Sequence, residues 1–267
     1  MNCAICDAES SPVFTKTVLF AYRVQYFRCG RCGFVQTESP HWLDEAYSSP
    51  IASLDVGLVH RNITTAEKFA FIIDSTFDHG GRFLDYAGGY GLFVRIMRDR
   101  GFDFFWTDRY CPNIFAQHFS IDDLDANKAT FNLVTAIEVM EHLIDPYREL
   151  DEMLGHSRSV LFTTELAPDH DLENWWYLVP ETGQHVSFYT LESLRIMADR
   201  LHLQFYSDGH GLHLFTDRTL SVFPPEGRRV PWWRRWARNR KGALKPSTRL
   251  LLDFEHVRKI VAERKQW

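Results

Sequence analysis

The sequence predicts an α/β domain: a mostly parallel sheet wrapped by helices on both faces and finished by an antiparallel hairpin. Three observations predict it. From residue 82 onward apolar, strand-like runs alternate with helical patterns. A glycine-rich turn, Asp85-Tyr-Ala-Gly88-Gly89-Tyr-Gly91, separates the first of these strands from the helix after it, and two apolar segments near the end of the domain are joined through Gly209-His210-Gly211.

The elements follow in order. Residues 1–40 are turn-rich and carry paired cysteines, too small a segment to bury a core of its own without a metal staple. Residues 41–80 read as a linker, leaving Pro40 and reaching Pro50, and a lead-in helix in which Ala66, Phe69, Ile73 and Phe77 fall on one apolar stripe. Residues 81–222 carry the alternation, with strands at 82–87, 102–108, 131–139 and 159–165, helices at 92–100, 145–154 and 191–201, and the terminal pair at 204–208 and 212–216. Residues 223–267 change character, to a basic stretch bearing Trp232, Trp233 and Trp236 and a final helix striped by Leu250, Phe254, Val257 and Val261.

Composition bounds the function. With 45% apolar and 24% charged residues the chain has the balance of a packed protein, which excludes disorder for most of its length. A net charge of -5 argues against a nucleic-acid binder acting through its whole surface, yet nine Lys or Arg and no acid lie between Gly227 and Leu252. No apolar run approaches membrane-spanning length and the opening Met-Asn-Cys lacks the basic and apolar regions of a leader, so a cytoplasmic location is expected.

Cys3-Ala-Ile-Cys6 and Cys29-Gly-Arg-Cys32 are two x-x-spaced pairs with 22 residues between them. Thiolates at that spacing sit on tight turns whose backbone amides point at sulfur, and two such turns make a closed tetrahedral site for a structural Zn²⁺. The alternative is four free thiols. Cys111 has no partner and reads as a small apolar residue.

The glycines of the 85–91 turn allow close approach to the backbone, and the helix after it offers free amides. The turn lacks the Gly-Lys-Ser/Thr ending of a phosphate loop and the glycine spacing of the dinucleotide fingerprint. Asp108, 17 residues beyond Gly91 at the end of the second strand, can accept both ribose hydroxyls of a nucleoside.

Three stretches, Asp85 to Gly91, Asp108-Arg-Tyr-Cys-Pro-Asn-Ile-Phe-Ala and Ile137-Glu-Val-Met-Glu-His142-Leu-Ile-Asp-Pro, together with the cysteine pairs and Gly183-Gln-His-Val-Ser-Phe-Tyr-Thr190, resemble the class I methyltransferases. The likeness is to the bacterial subgroup with an N-terminal zinc ribbon that methylates sugars and related small molecules, and it spans residues 3 to about 218, leaving the basic tail outside. The resemblance implies a Rossmann-like sheet and S-adenosylmethionine as methyl donor. It implies that Asp85 and the glycines Gly88, Gly89 and Gly91 hold the methionine end, that Asp108 holds the ribose and that Asp122 or Asp123 meets the adenine amino group. Tyr86, Ala87, Arg109 and Glu138 belong to the same cofactor set. The family often has glycine where this chain has Ala87, a more crowded turn.

For a hydroxyl or carbon acceptor the protein must also remove a proton. His142, with Glu141 to orient it, and His185 are the expected bases. The plainer readings are that Glu141-His142 caps the next helix and that His185 is a packed or surface residue. Trp175-Trp176-Tyr177 forms either an aromatic wall for a sugar or flat substrate, or part of the core.

An RNA methyltransferase is the competing function, because a zinc ribbon and a basic, Trp-bearing tail suit a phosphate backbone and stacked bases. Against it, amino-group methyltransferases of nucleic acids typically carry Asn/Asp-Pro-Pro-Tyr at the exit of the fourth strand, where this chain has Ile-Glu-Val-Met-Glu. A non-catalytic scaffold is a third reading, opposed by the intact acidic and glycine positions. The acceptor is expected to be a small molecule of carbohydrate type, and the oligomeric state stays open.

Overall fold

The computed structural model describes residues 1–124, 130–224 and 249–264. The N-terminal segment holds more regular structure than its turn-rich composition suggests. Strands β1 (Ser10–Val18), β2 (Tyr22–Cys29) and β3 (Val35–Thr37) make an antiparallel meander. Alternation explains it: β2 buries Val24 and Tyr26 and turns Arg23 and Gln25 outward, the period-2 pattern of a half-buried strand.

A single helical turn, α1 (Leu43–Ala46), leads to α2 (Leu58–Thr76). The expected stripe of Ala66, Phe69, Ile73 and Phe77 is buried, with Phe77 just past the helix end. Alternation then begins with β4 (Arg82–Tyr86), α3 (Leu92–Asp99), β5 (Asp103–Thr107) and β6 (Leu133–Ile137). It continues through α4 (Pro146–His156), β7 (Ser159–Thr163), the two-residue β8 (Ser187–Phe188) and α5 (Leu191–Arg200), and closes with β9 (Gln204–Ser207) and β10 (Leu212–Thr216). Helix starts follow local chemistry. Asp145 caps α4 through Arg148 N with Pro146 in the first turn, and Thr190 and Ser193 form a reciprocal capping box at α5.

The main sheet has the order β5-β4-β6-β7-β10-β9. Its first four strands are parallel, while β10 runs antiparallel to both β7 and β9. The expected hairpin forms, and its second strand enters the sheet and leaves β9 at the edge. The reason is hydropathy: all five residues of β10 are buried, whereas Gln204 of β9 is exposed. Alternate strand residues face two cores. Phe83, Leu133 and Leu161 pack with α2 and α3 on one side, and Leu84, Val134 and Val160 pack on the other in a cluster that includes Leu150 of α4 and Leu194 of α5.

The cysteine-bearing segment joins that second side. Cys3, Cys6, Cys29 and Cys32 lie in the same cluster as Val134 and Leu194, and β8 pairs with β3, so a strand from residue 187 belongs to the N-terminal sheet.

The chain resumes at Arg249 and forms α6 (Leu250–Arg264). The expected stripe does not govern how α6 docks: Leu250 and Phe254 are exposed, Val257 is packed against the core, and Asp253 is buried. Asp253 holds Arg98 of α3 through two bonds of 2.8 and 2.9 Å, so ion pairing rather than hydropathy chose the buried face. The Val261 side chain and most of the basic stretch, Trp232, Trp233 and Trp236 included, lie outside the described residues. No helix among the described residues is long and apolar enough to cross a membrane.

Candidate active site

Strand order reverses at β4, with β5 on one side and β6 on the other, so a crevice opens beyond the carboxyl ends of these strands. A cleft of about 890 Å³ lies there. Its floor is the turn after β4, and its roof is the stretch from α1 to the start of α2, including Tyr47, Ile51 and Arg61.

The turn is built for close approach. At Gly88 an added Cβ would stand 2.7 Å from Asp85 Oδ2 and 2.9 Å from Trp106 Cδ1, so no side chain fits. Ala87 adopts φ 53°, a left-handed conformation that glycine takes at lower cost, which is the crowding expected of alanine at this position. Gly91 starts α3 at φ 82°, and Asn113 fills the space its Cβ would need.

Asp85 ends β4 fully buried, its Oδ1 accepting a 2.7 Å bond from the Thr135 hydroxyl. Burial pushes its carboxyl up to about 7; the Thr135 bond opposes the shift and the charge of Asp108 adds to it. Asp108, just past β5, accepts from Gly89 N at 2.9 Å and from Tyr110 N and Cys111 N at 2.7 and 2.8 Å. One carboxylate thus ties the tips of two adjacent strands. Arg109 is held by Glu149 and Glu152 of α4, and Tyr86 donates to Glu149 at 2.7 Å.

At the other end, Glu138 leaves β6 at φ 53° and accepts from Thr163 at 2.7 Å and from the Tyr177 hydroxyl at 3.0 Å. Glu141 and His142 follow in a 3-10 turn. His142 Nδ1 lies 3.1 Å from Gln184 O and 3.0 Å from the Tyr47 hydroxyl, and His185 Nδ1 lies 2.7 Å from Tyr177 O. Bonding to carbonyls places the proton on Nδ1 and the lone pair on Nε2 in both rings. The rings stand edge to face with centroids 4.9 Å apart. Burial holds His142 down at about 3, helped by His185, and holds His185 down at about 4, so both imidazoles are neutral at neutral pH. Burial, reinforced by Glu138, raises the Glu141 carboxyl well above the usual range.

The structure therefore brings Asp85, Tyr86, Ala87, Gly88, Gly89, Asp108, Arg109, Glu138, His142 and His185 to one cleft. Glu141 lies beneath it and Gly91 behind the turn. Asp122 is exposed and outside the lining, in a turn where Ser120 and Asp123 cap each other. The aromatic triplet is divided: Trp176 is 69% exposed at the cleft mouth, while Tyr177 is buried and Trp175 packs against Phe188.

Sequence reasoning missed Tyr47, Arg61 and Gln184. Gln184 Nε2 donates to Ala46 O at 2.9 Å and to Ser49 O at 3.3 Å, tying the roof to the His185 loop. The available signal was Trp42, Leu43 and Tyr47 in a supposed linker, apolar content that a solvated connection does not need.

The four cysteines form a second cluster, on the far side of the loop. Sulfur separations of 3.4 Å (Cys6–Cys29), 3.5 Å (Cys6–Cys32) and 3.6 Å (Cys3–Cys32) approach the ~3.8 Å edge of a tetrahedron with ~2.3 Å Zn–S bonds. Ile5 N and Arg31 N point at sulfur at 3.4 Å. The donor set fits zinc.

A family model described as a methyltransferase domain matches residues 60–208, more than half of the chain. The chain belongs to this family of methyltransferases, the class that draws its methyl group from S-adenosylmethionine. Among solved structures it is similar to the plantazolicin methyltransferase BpumL in complex with SAH, at 11% identity over 66% of this chain and 89% of that one, TM-score 0.42. It is similar to magnesium protoporphyrin IX methyltransferase from Synechocystis with bound SAM, at 12% identity over 65% and 87%, TM-score 0.35. A SAM-dependent methyltransferase from Thermotoga maritima, possibly a histamine N-methyltransferase by its description, matches at 12% identity over 67% and 98%, TM-score 0.43. No curated protein matches the chain.

Proposed function

We propose that the protein methylates a small hydroxylated acceptor, a sugar or nucleotide-linked sugar, inside this cleft. The carrying observation is that one cavity has acids at the tips of adjacent strands beyond a glycine turn at one end, and two neutral imidazoles with Nε2 lone pairs at the other.

S-adenosylmethionine, when bound, supplies a sulfonium methyl group open to in-line attack. Asp85 and the Gly88-Gly89 backbone hold its methionine end, Asp108 accepts from the ribose hydroxyls, and Arg109 and Glu138 border the same pocket. Asp122 is exposed and lies outside the cleft lining among the described residues. The acceptor lies against Trp176 at the mouth, where an aromatic face suits a sugar ring, and its proton leaves to His142 or His185. The four cysteines hold a structural zinc ion that braces the N-terminal sheet.

An RNA acceptor finds less support, because Arg61 and Arg109 of the cleft are already engaged by Asp55, Glu149 and Glu152. Calorimetry with S-adenosylmethionine is the test: the wild type binds it and Asp108→Ala binds at least ~10-fold more weakly, as expected for loss of charge-assisted bonds. If the wild type takes up no cofactor, the reading fails. Transfer of labelled methyl to a panel of sugars and nucleotide-linked sugars, in wild type and in His142→Ala and His185→Ala, then tests acceptor class and base. Full turnover in both variants excludes the imidazoles.

A further inference from the structure

Glu141 is 0% exposed, and its carboxylate oxygens make no well-aligned hydrogen bond among the described residues, although the Tyr177 and Thr164 hydroxyls stand close enough to act on it. A carboxyl deprived of water and of well-aligned donors is costly to bury, so native structures retain one where something else satisfies it. The group faces its neighbours: Oε1 lies 3.9 Å from His142 Nε2, and one ligand atom from each of Glu141, His142 and His185 lies within 4.8 Å of the other two. Each imidazole is fixed from behind by a backbone carbonyl on Nδ1, at 3.1 Å for His142 and 2.7 Å for His185. Outer hydrogen bonds of this kind orient imidazoles that ligate metals through the opposite nitrogen. Local charge agrees. Glu138 is close enough to act on Glu141, and Arg61, the nearby cation, is bound by Asp55 through bonds of 2.9 and 2.6 Å.

We propose that Glu141, His142 and His185 bind one divalent first-row transition cation that keeps an open coordination position toward the cleft. Two imidazoles and one carboxylate are a ligand set that manganese, iron, cobalt and zinc share, distinct from the four thiolates of the N-terminal cluster. The open position takes an oxygen of the methyl acceptor, a step that rests on the methylation reading above; metal binding itself does not. With the cation bound, an acceptor hydroxyl on it would lose its proton to water more readily, and His142 and His185 would act as ligands; the base role given them above is that of the metal-free site.

The test titrates MnCl₂ into protein preloaded with one equivalent of zinc, which the thiolates take, and follows free Mn²⁺ by electron paramagnetic resonance. One saturable Mn²⁺ per chain is expected, with solvent proton relaxation enhanced by the bound ion, the mark of an open position. Glu141→Gln and His185→Ala should each weaken uptake by ~100-fold or more, beyond the ~10–100-fold cost of outer-shell changes. Thermal unfolding and S-adenosylmethionine calorimetry on both variants check that they are folded. No saturable uptake by the wild type, or undiminished uptake in both folded variants, overturns the site. Mn²⁺ uptake without cofactor binding sinks the methylation reading and leaves the metal standing; cofactor binding without uptake does the reverse.

Discussion

Asp85 carries a stability cost at the end of the cleft proposed to hold the cofactor. Its carboxyl ionises near 7 in the folded chain, against 3.8 for an unperturbed aspartic acid side chain, because burial disfavours the charge. The folded pKa is raised, so the stability associated with the protonated form is complete below the unfolded value and is lost as pH climbs toward 7. Asp85→Asn keeps the acceptor for Thr135 and removes the charge. The variant is expected to gain stability relative to wild type as pH rises, the gap widening by about 2.5 kcal/mol between pH 5 and pH 8 in urea denaturation of cofactor-free protein. Its affinity for S-adenosylmethionine should fall ~10-fold or more if Asp85 makes the charge-assisted contact to the methionine end proposed above. A gap that does not change with pH removes the assignment of a strained, buried charge to this position.

At the level of elements, α6 is the case where pattern and structure part. Its apolar stripe suggested a hydrophobic seam, yet Leu250 and Phe254 of that stripe are 54% and 61% exposed and the buried contact is Asp253 with Arg98, which also bonds Asp103 and stacks over Phe119 at 3.7 Å. Removing Asp253 takes two bonds from the buried Arg98 and leaves Asp103 as its remaining carboxylate partner. Asp253→Ala should therefore cost about 3 kcal/mol, whereas Leu250→Ala and Phe254→Ala should stay within about 0.5 kcal/mol, as measured by urea denaturation. The parallel strands and the helices between them were legible because hydropathy alone specifies a strand buried on both faces, and because Pro146 and Thr190 mark helix starts chemically. Asp85, Asp108 and the 138–142 exit were legible for a similar reason, since each sits at a strand end beside a turn. The α6 contact was not, because ion pairing to Arg98 is a long-range choice that leaves no periodicity. Nor was the roof: Tyr47 and Gln184 meet the site from segments 137 residues apart, joined only by tertiary packing.

Over the whole molecule, the cysteine cluster and the histidine end of the cleft are mechanically one structure. Thr190 Oγ1 donates to Cys32 O at 2.6 Å, Tyr147 of α4 donates to Ile5 O at 2.8 Å, and β3 pairs with β8 two residues after His185. The cofactor end is tied to the cluster less directly, through α4, whose Glu149 takes bonds from Tyr86 and Arg109 while its Tyr147 meets Ile5. Loosening the thiolate cluster should accordingly disturb the acceptor side first. Cys29→Ser, or removal of zinc by a strong chelator under conditions that leave the rest folded, is expected to cut methyl-transfer turnover at least ~10-fold while S-adenosylmethionine affinity changes by less than ~3-fold, because a displacement near 1 Å of a positioning group already costs rate heavily. Parallel hydrogen exchange should show lost protection at residues 185–190 before residues 82–89. Equal loss of cofactor affinity and turnover would mean that the thiolate cluster supports the fold as a whole rather than positioning His185 through β8.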